Sequence, residues 1–286
     1  MKKWASPHAV FLLRLTQPGV QHLRELRAFE MIFFAGLAVH FLPYIWNQDR
    51  FLGHLPTHQV LDVGAWLPAT VPNPVLLTLG YLGCLVGILG PSVRVGALLA
   101  LVAFQSLMSR NSNAIHTLAI SQAWNILLLF MVGGGSQWLG RKHPTADVTR
   151  GSWTRTLIVY STILGVFLSA LEKLKSGWIE ARPMTTLLSF PENHVLRNWA
   201  VHSLGHYARG LGFVLTFATL MFELFAPLAL TLTASGRALP VLWVCFFAAI
   251  GLTFEVPTLF LATYAGASLL FCAGSQHGRG EDELAR

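Results

Sequence analysis

The segment 170–184, which reads ALEKLKSGWIEARPM, contains the residues best suited to acid–base chemistry. It follows an apolar run, 156–171, and brings Glu172, Lys173 and Lys175 to the point where that run ends. A lysine beside apolar surface gives up its proton readily because burial disfavours the charged form, and a neutral amine can accept a proton from a substrate. The alternative is that Lys173 anchors a helix end by extending its ammonium group to the headgroups.

Glu223 lies in the middle of another apolar segment, within the sequence MFELFAP. An ionisable side chain at such a position is costly unless it is paired or protonated, so Glu223 is a candidate functional residue. Two structural roles are the alternatives to a functional role for Glu223. Glu223 can pair with Arg27 or His40, or it can be protonated and form a hydrogen bond between two helices.

A second polar cluster, RNSNAIH, separates two apolar segments and contains Arg110, Asn111 and His116. The simplest role for this cluster is a loop in which Ser112 caps the following helix. The charge distribution described below predicts that the cluster lies on the same side of a membrane as Lys173. The alternative to a simple loop is therefore a pocket that this cluster shares with Lys173.

Histidine and tryptophan side chains surround the lysine segment in the sequence. His202 and His206 are spaced so that they share one face of a helix and could ligate a metal. No HExxH signature or suitably spaced carboxylate accompanies them, so no metal site is predicted. His202 is therefore either an interfacial residue or a residue that contacts a quinone or transfers a proton. Trp178 suits the aromatic belt of a membrane protein.

The composition is that of a membrane protein, because 53% of the residues are hydrophobic and only 12% are charged. A soluble domain of ordinary composition has about 25% charged residues. The predicted fold is an all-α, polytopic transmembrane helix bundle with about eight spans. These spans are 28–46, 75–90, 93–109, 117–133, 156–171, 211–234, 239–254 and 257–273.

The basic residues indicate the orientation of this bundle. Of the 20 Lys and Arg residues, 13 lie in segments that face the cytoplasm if the N-terminus is inside, and 7 lie on the other side. That distribution predicts cytoplasmic termini in an inner or plasma membrane, with the polar segment 172–209 on the outer face. The net charge of +7 then fits membrane lipid as a partner, and no nucleic-acid-binding motif accompanies it.

Three units are predicted along the chain. Residues 1–27 form a basic amphipathic lead-in on the cytoplasmic surface, without the pattern of a cleavable signal peptide. Residues 28–273 form the transmembrane domain, and residues 274–286 form a polar tail. The three cysteines lie in apolar segments without metal-ligand spacing, so they are expected to be small buried hydrophobes.

The lysine segment resembles that of the vitamin K-dependent γ-glutamyl carboxylases. In those enzymes a Lys-Lys-Leu sequence ends a membrane helix, and a Trp follows five residues after the second lysine. Here Lys173 and Trp178 keep that spacing, while Glu172 replaces the first lysine. Arg27, the RN at 110–111 and FELFAP agree in order, and the pattern is similar to the wider HTTM family over 24–273.

The resemblance implies a chemistry for these residues. The carboxylases oxidise vitamin K hydroquinone with O2, and the strong base that results removes a proton from the γ-carbon of glutamate before CO2 adds. Lys173 matches the lysine that deprotonates the hydroquinone, and His116 corresponds less well to a family histidine. The implied cofactor is reduced vitamin K or another quinol, bound near Trp178, Arg110, Asn111, Glu223 and His202.

Two departures from the family leave the function open. The carboxylases carry a large soluble region that recognises their peptide substrate, whereas this sequence has only a short polar tail, so peptide carboxylation is not expected. The residues fit a quinol-dependent, oxygen-using lyase-like enzyme. They also fit a non-enzymatic membrane subunit or a lipid- or quinone-binding scaffold, with a membrane protein as a possible partner.

Overall fold

The structure is a computed structural model, and it describes residues 20–46, 70–90, 92–110, 118–136, 145–175, 208–232, 238–253 and 257–271. Within these ranges the regular structure is entirely helical, which confirms the predicted all-α class. The helices, numbered α1 to α8 in chain order, are Val20–Trp46, Asn73–Leu89, Val93–Arg110, Leu118–Gly133, Thr145–Lys175, Ala208–Leu232, Ala238–Thr253 and residues 257–271. The helix α8 consists of Pro257–Phe260, a π-helical turn at Leu261–Ala265, and Gly266–Phe271.

Two helices begin well before the predicted spans 28–46 and 156–171, while the other six begin and end close to the predicted spans. The first helix starts at Val20, so the predicted boundary between lead-in and first span falls inside α1. The fifth helix starts at Thr145, so part of the predicted loop 137–155 is helical. Polar residues extend both helices beyond their apolar segments, because helix formation does not require the apolar stretch that a membrane span requires.

Two of these helices are long and apolar enough to cross a membrane, at Leu23–Ile45 and Trp153–Leu174. Six further apolar helices are shorter than that criterion. The described part of the chain therefore contains two candidate spans by length and composition, together with a set of shorter apolar helices.

The first helix, α1, lies at the centre of the packed core and contacts α2, α5 and α8. Its aromatic side chains Phe29, Phe33 and Phe34 meet Phe130 of α4, with ring centroids between 5.8 and 6.2 Å apart. All four rings are fully buried. This aromatic packing fixes the depth of α1 relative to α4.

Small residues allow α2 and α3 to pack backbone against backbone. A Cβ atom at Gly83 would lie 2.5 Å from the backbone nitrogen of Ala100 and 2.7 Å from the carbonyl oxygen of Gly96. A Cβ atom at Gly96 would lie 2.7 Å from the backbone nitrogen of Gly87. This close approach of small residues spaced four apart is typical of helix pairs in membranes.

The outward faces of the described helices are also apolar. In water, many exposed apolar side chains would favour association, whereas a bilayer accommodates them. The exposed large hydrophobic residues include Met31, Ile32, Val39, Leu82, Leu85, Leu89, Leu157, Leu164, Leu168, Val241 and Leu242.

Candidate functional site

Lys173 and Glu223, both singled out in the sequence, form an ion pair between α5 and α6. The Lys173 Nζ atom lies 2.5 Å from Glu223 Oε1 and 2.6 Å from Oε2, so the ammonium group contacts both carboxylate oxygens. The Glu223 side chain is 2% exposed and the Lys173 side chain 16%. The carboxylate is therefore sealed in the protein, and the amine lies at its edge.

Ser169 completes the polar contacts that α5 offers to the Glu223 carboxylate. Its Oγ atom lies 3.5 Å from Glu223 Oε2. Residues four apart on a helix share one face, so Ser169 and Lys173 approach Glu223 from consecutive turns of α5. Ser169 could not be identified from the sequence, because no pattern distinguishes a serine within an apolar segment.

The suggestion that Glu223 pairs with Arg27 or His40 is wrong. Arg27 lies in α1, where Nη1 donates to Glu30 Oε2 at 3.1 Å and to the carbonyl oxygen of Gly87 at 3.0 Å. Its Nη2 atom donates to the carbonyl oxygen of Ile88. Arg27 thus binds the last turn of α2. The predicted lead-in placed Arg27 at the membrane surface, whereas the structure buries it.

Glu30 and Arg27 belong to a buried clasp, defined here as these two residues with Ser136. Glu30 accepts hydrogen bonds from the backbone nitrogen of Ser136 at 2.5 Å and from its hydroxyl at 2.6 Å. The glycine sequence 133–135 makes this approach possible, because a Cβ atom at Gly135 would overlap Glu30 Oε1. The clasp joins α1, the end of α2 and the residues that follow α4.

Arg155 was expected in a polar loop, but it lies in α5 and is 1% exposed. Its Nη2 atom donates to the carbonyl oxygen of Leu270 at 2.5 Å, and its Nε atom lies 3.6 Å from Glu25 Oε2. Arg155 precedes Lys173 by 18 residues along α5, a separation of about 27 Å at 1.5 Å per residue. The two ion pairs of α5 therefore lie at opposite ends of its apolar segment.

His40 is buried among aromatic rings, away from both ion pairs. The rings of Phe41, Tyr44 and Phe104 lie with centroids 5.8 to 6.3 Å from its imidazole. Its Nε2 atom is buried and has no hydrogen-bond partner among the described residues. This environment gives His40 no route to Glu223, and the residue is part of the core.

An aromatic group lies next to Glu223 and consists of Phe222, Trp243, Phe246, Phe247 and Tyr264. Phe222 stacks on Phe246 at 3.9 Å between centroids, and Phe247 stacks on Tyr264 at 4.6 Å. The Trp243 indole donates to the carbonyl oxygen of Tyr264 at 2.8 Å. Through these rings α6 packs against α7, and α7 packs against α8.

The remaining predicted site residues are not brought together by the part of the chain that the structure describes. Asn111, His116, Trp178 and His202 lie outside the described residues, and so does the side chain of Arg110 at the end of α3. Their proximity to Lys173 is still a prediction. Of the predicted site, the structure joins Lys173 to Glu223.

Within the described ranges, no group of three or more His, Cys, Asp or Glu side chains could hold a metal ion. Comparisons with protein-family models, with curated proteins and with solved structures find no match for this chain. The residue geometry is therefore the basis for assigning a function.

Proposed function

We propose that the chain is a polytopic integral membrane protein whose eight helices form one bundle, with both termini in the cytoplasm. Two observations support this. The outward helix faces are apolar, and the charged side chains of the described bundle are largely paired inside it. The shorter helices would cross a bilayer by local thinning or by burial among their neighbours.

The bundle would act as an enzyme that removes a proton from a lipid-soluble quinol, using Lys173 as the base. The observation that carries this proposal is the contact of Lys173 Nζ with both oxygens of the buried Glu223 carboxylate. Proton transfer from the ammonium to the carboxylate replaces two buried charges by two neutral groups, which removes their desolvation cost. The pair can therefore present a neutral amine without a preceding deprotonation by water.

The proton balance of the step is simple. The quinol O–H bond breaks, its proton binds the Lys173 nitrogen, and the quinolate anion forms beside the ammonium that results. The resemblance to the γ-glutamyl carboxylases supplies O2 as the oxidant of that anion. In this proposal Arg110, Asn111, Trp178 and His202 contact the substrate, and His116 assists proton transfer.

The first experiment measures quinones that co-purify with the protein in mild detergent, by mass spectrometry. We expect a quinone in the wild type and at least a tenfold loss in Lys173→Met and Glu223→Gln. Glu25→Gln is the matched control, because it makes the same chemical change in the ion pair at the other end of α5. A quinone absent from every sample, or retained in all variants, would contradict the proposed pocket.

The alternative function is a scaffold, and the same ion pair favours it, since the pair also bridges α5 and α6. Exchanging the two residues, Lys173→Glu with Glu223→Lys, separates the two functions. The exchange restores an ion pair but moves the amine to α6. A scaffold should regain its thermal stability and its cellular role, whereas an enzyme should regain stability but not quinol-dependent O2 uptake.

A further inference from the structure

The ion pair of Arg155 and Glu25 contains three buried polar atoms that have no hydrogen-bond partner among the described residues. They are the Nε and Nη1 atoms of Arg155 and the Oε2 atom of Glu25. The Arg155 side chain is only 2% exposed, so these nitrogen atoms do not reach solvent at the surface. Buried polar atoms in folded proteins nearly always have a hydrogen-bond partner, so three together in one ion pair require an explanation.

The buried clasp shows what a complete contact of the same kind contains. There, too, an arginine pairs with a glutamate of α1 and donates to a carbonyl oxygen in the last turn of another helix. In the clasp, however, Ser136 donates its hydroxyl to Glu30 Oε2 and its backbone N–H to Oε1, so that both carboxylate oxygens have partners. Among the described residues, no group does for Glu25 Oε2 what the Ser136 hydroxyl does for Glu30.

The two side chains of the Arg155–Glu25 pair lie too far apart to satisfy each other. Arg155 Nε is 3.6 Å from Glu25 Oε2, which is longer than the roughly 2.7–3.2 Å of an N–H···O hydrogen bond. The Nη2 atom of Arg155 already donates to the carbonyl oxygen of Leu270. One further oxygen atom, at about 2.8 Å from each side chain, is within reach of both.

The chemistry of the pair defines what that oxygen must be. It has to accept a hydrogen bond from the guanidinium group and donate one to the carboxylate, and a water molecule or an alcohol does both. The Glu25 carboxylate would repel an anion, and the Arg155 guanidinium would repel a cation. The Glu25 side chain is 19% exposed, so the pair is open to its surroundings on that side.

The position of the pair along the helices makes such a ligand available. Glu25 lies close to the start of the candidate span Leu23–Ile45, and Arg155 lies close to the start of Trp153–Leu174. The ends of membrane spans are at the depth where lipid headgroups meet water. Both sources of a hydroxyl group, water and a lipid headgroup, are therefore within reach of the open side at Glu25.

We propose that Arg155 and Glu25 form a binding site for one neutral hydroxyl ligand, supplied by water or by a lipid headgroup. The ligand oxygen accepts from Arg155 Nε or Nη1, and its O–H donates to Glu25 Oε2. It completes the contact between α1 and α5 beside the last turn of α8, as Ser136 completes the clasp. The site goes beyond the proposed function, because it lies about 27 Å along α5 from Lys173 and takes no part in proton removal there.

The test is a cryo-electron microscopy map of the wild-type protein in lipid nanodiscs, at a resolution that shows ordered water. One sample contains phosphatidylcholine, which has no headgroup hydroxyl, and the other contains phosphatidylglycerol, whose glycerol headgroup has hydroxyl groups. We expect a non-protein oxygen within about 3.2 Å of both Glu25 Oε2 and a guanidinium nitrogen of Arg155. A separate peak in both maps identifies water, and density continuous with a lipid in phosphatidylglycerol alone identifies the headgroup. If neither map shows density there, or if a protein atom occupies the position, the inference is overturned.

Two variants test whether Arg155 holds the ligand. Arg155→Lys keeps the positive charge but removes the guanidinium donors, and we expect the peak beside Glu25 to be lost. Arg27→Lys makes the same change in the clasp and should keep that peak. A peak that persists in Arg155→Lys would contradict the assignment to Arg155. The wild-type maps decide the inference even if a variant does not fold, and none of these measurements involves a quinone, so their outcome is independent of the proposed function.

Discussion

Single residues in this chain show how charge is carried inside an apolar bundle. Each of Arg27, Glu30, Arg155 and Glu223 is less than 7% exposed, and each has a partner of opposite charge. Removing one member of a buried pair leaves an uncompensated charge, which costs more than the pair itself contributes. The arginines also bind carbonyl oxygens at helix ends, so their loss would expose unsatisfied backbone acceptors as well.

Arg27→Met is expected to lower the free energy of unfolding by roughly 3–5 kcal/mol, because Glu30 is left buried without its cation. The last turn of α2 would also lose its two arginine hydrogen bonds, to Gly87 and Ile88. Arg24→Met is the matched control on the same helix, where the side chain is exposed, and it should change stability by no more than about 0.5 kcal/mol. Equal thermal shifts of the two variants in detergent would contradict the clasp.

The bounds of a helix could be predicted from this sequence where the apolar segment and the helix have the same length, as in α2, α3 and α4. The starts of α1 and α5 could not, because apolar length reports where a membrane could be crossed and carries no information about where a helix begins. The glycine sequence 133–135 was predicted to end α4, and it does. Its second role, admitting Glu30 to the backbone of Ser136, depends on the packing of α1 against that end.

Gly83→Ala tests the contact between α2 and α3. The added methyl group would meet the Ala100 nitrogen and the Gly96 oxygen, and backbone atoms cannot move aside as a flexible side chain can. We expect a loss of about 1–3 kcal/mol, measured as reduced resistance to thermal aggregation in detergent. Gly210→Ala in α6 is the control, since a Cβ atom there meets nothing within 4 Å and alanine favours the helix. A similar loss in both variants would show that the α2–α3 contact is not unusually close.

For the whole molecule, the sequence identified the two charged residues of the candidate site but not the contact between them. Lys173 and Glu223 each stood out because a charge in an apolar segment is rare. Their pairing joins residues 50 positions apart, and a single sequence contains no signal for such a contact.

The orientation of the bundle is a prediction about the whole molecule that labelling can test. With 13 of the 20 basic residues on the N-terminal side, the α2–α3 turn should face the cytoplasm and the polar cluster after α3 should face outward. In a variant whose three native cysteines are replaced by alanine, a membrane-impermeant maleimide should label Ser112→Cys in intact cells. Ser92→Cys should be labelled only after permeabilisation. The reverse pattern would put Lys173 on the cytoplasmic face, and a proposed substrate would then have to enter from that side.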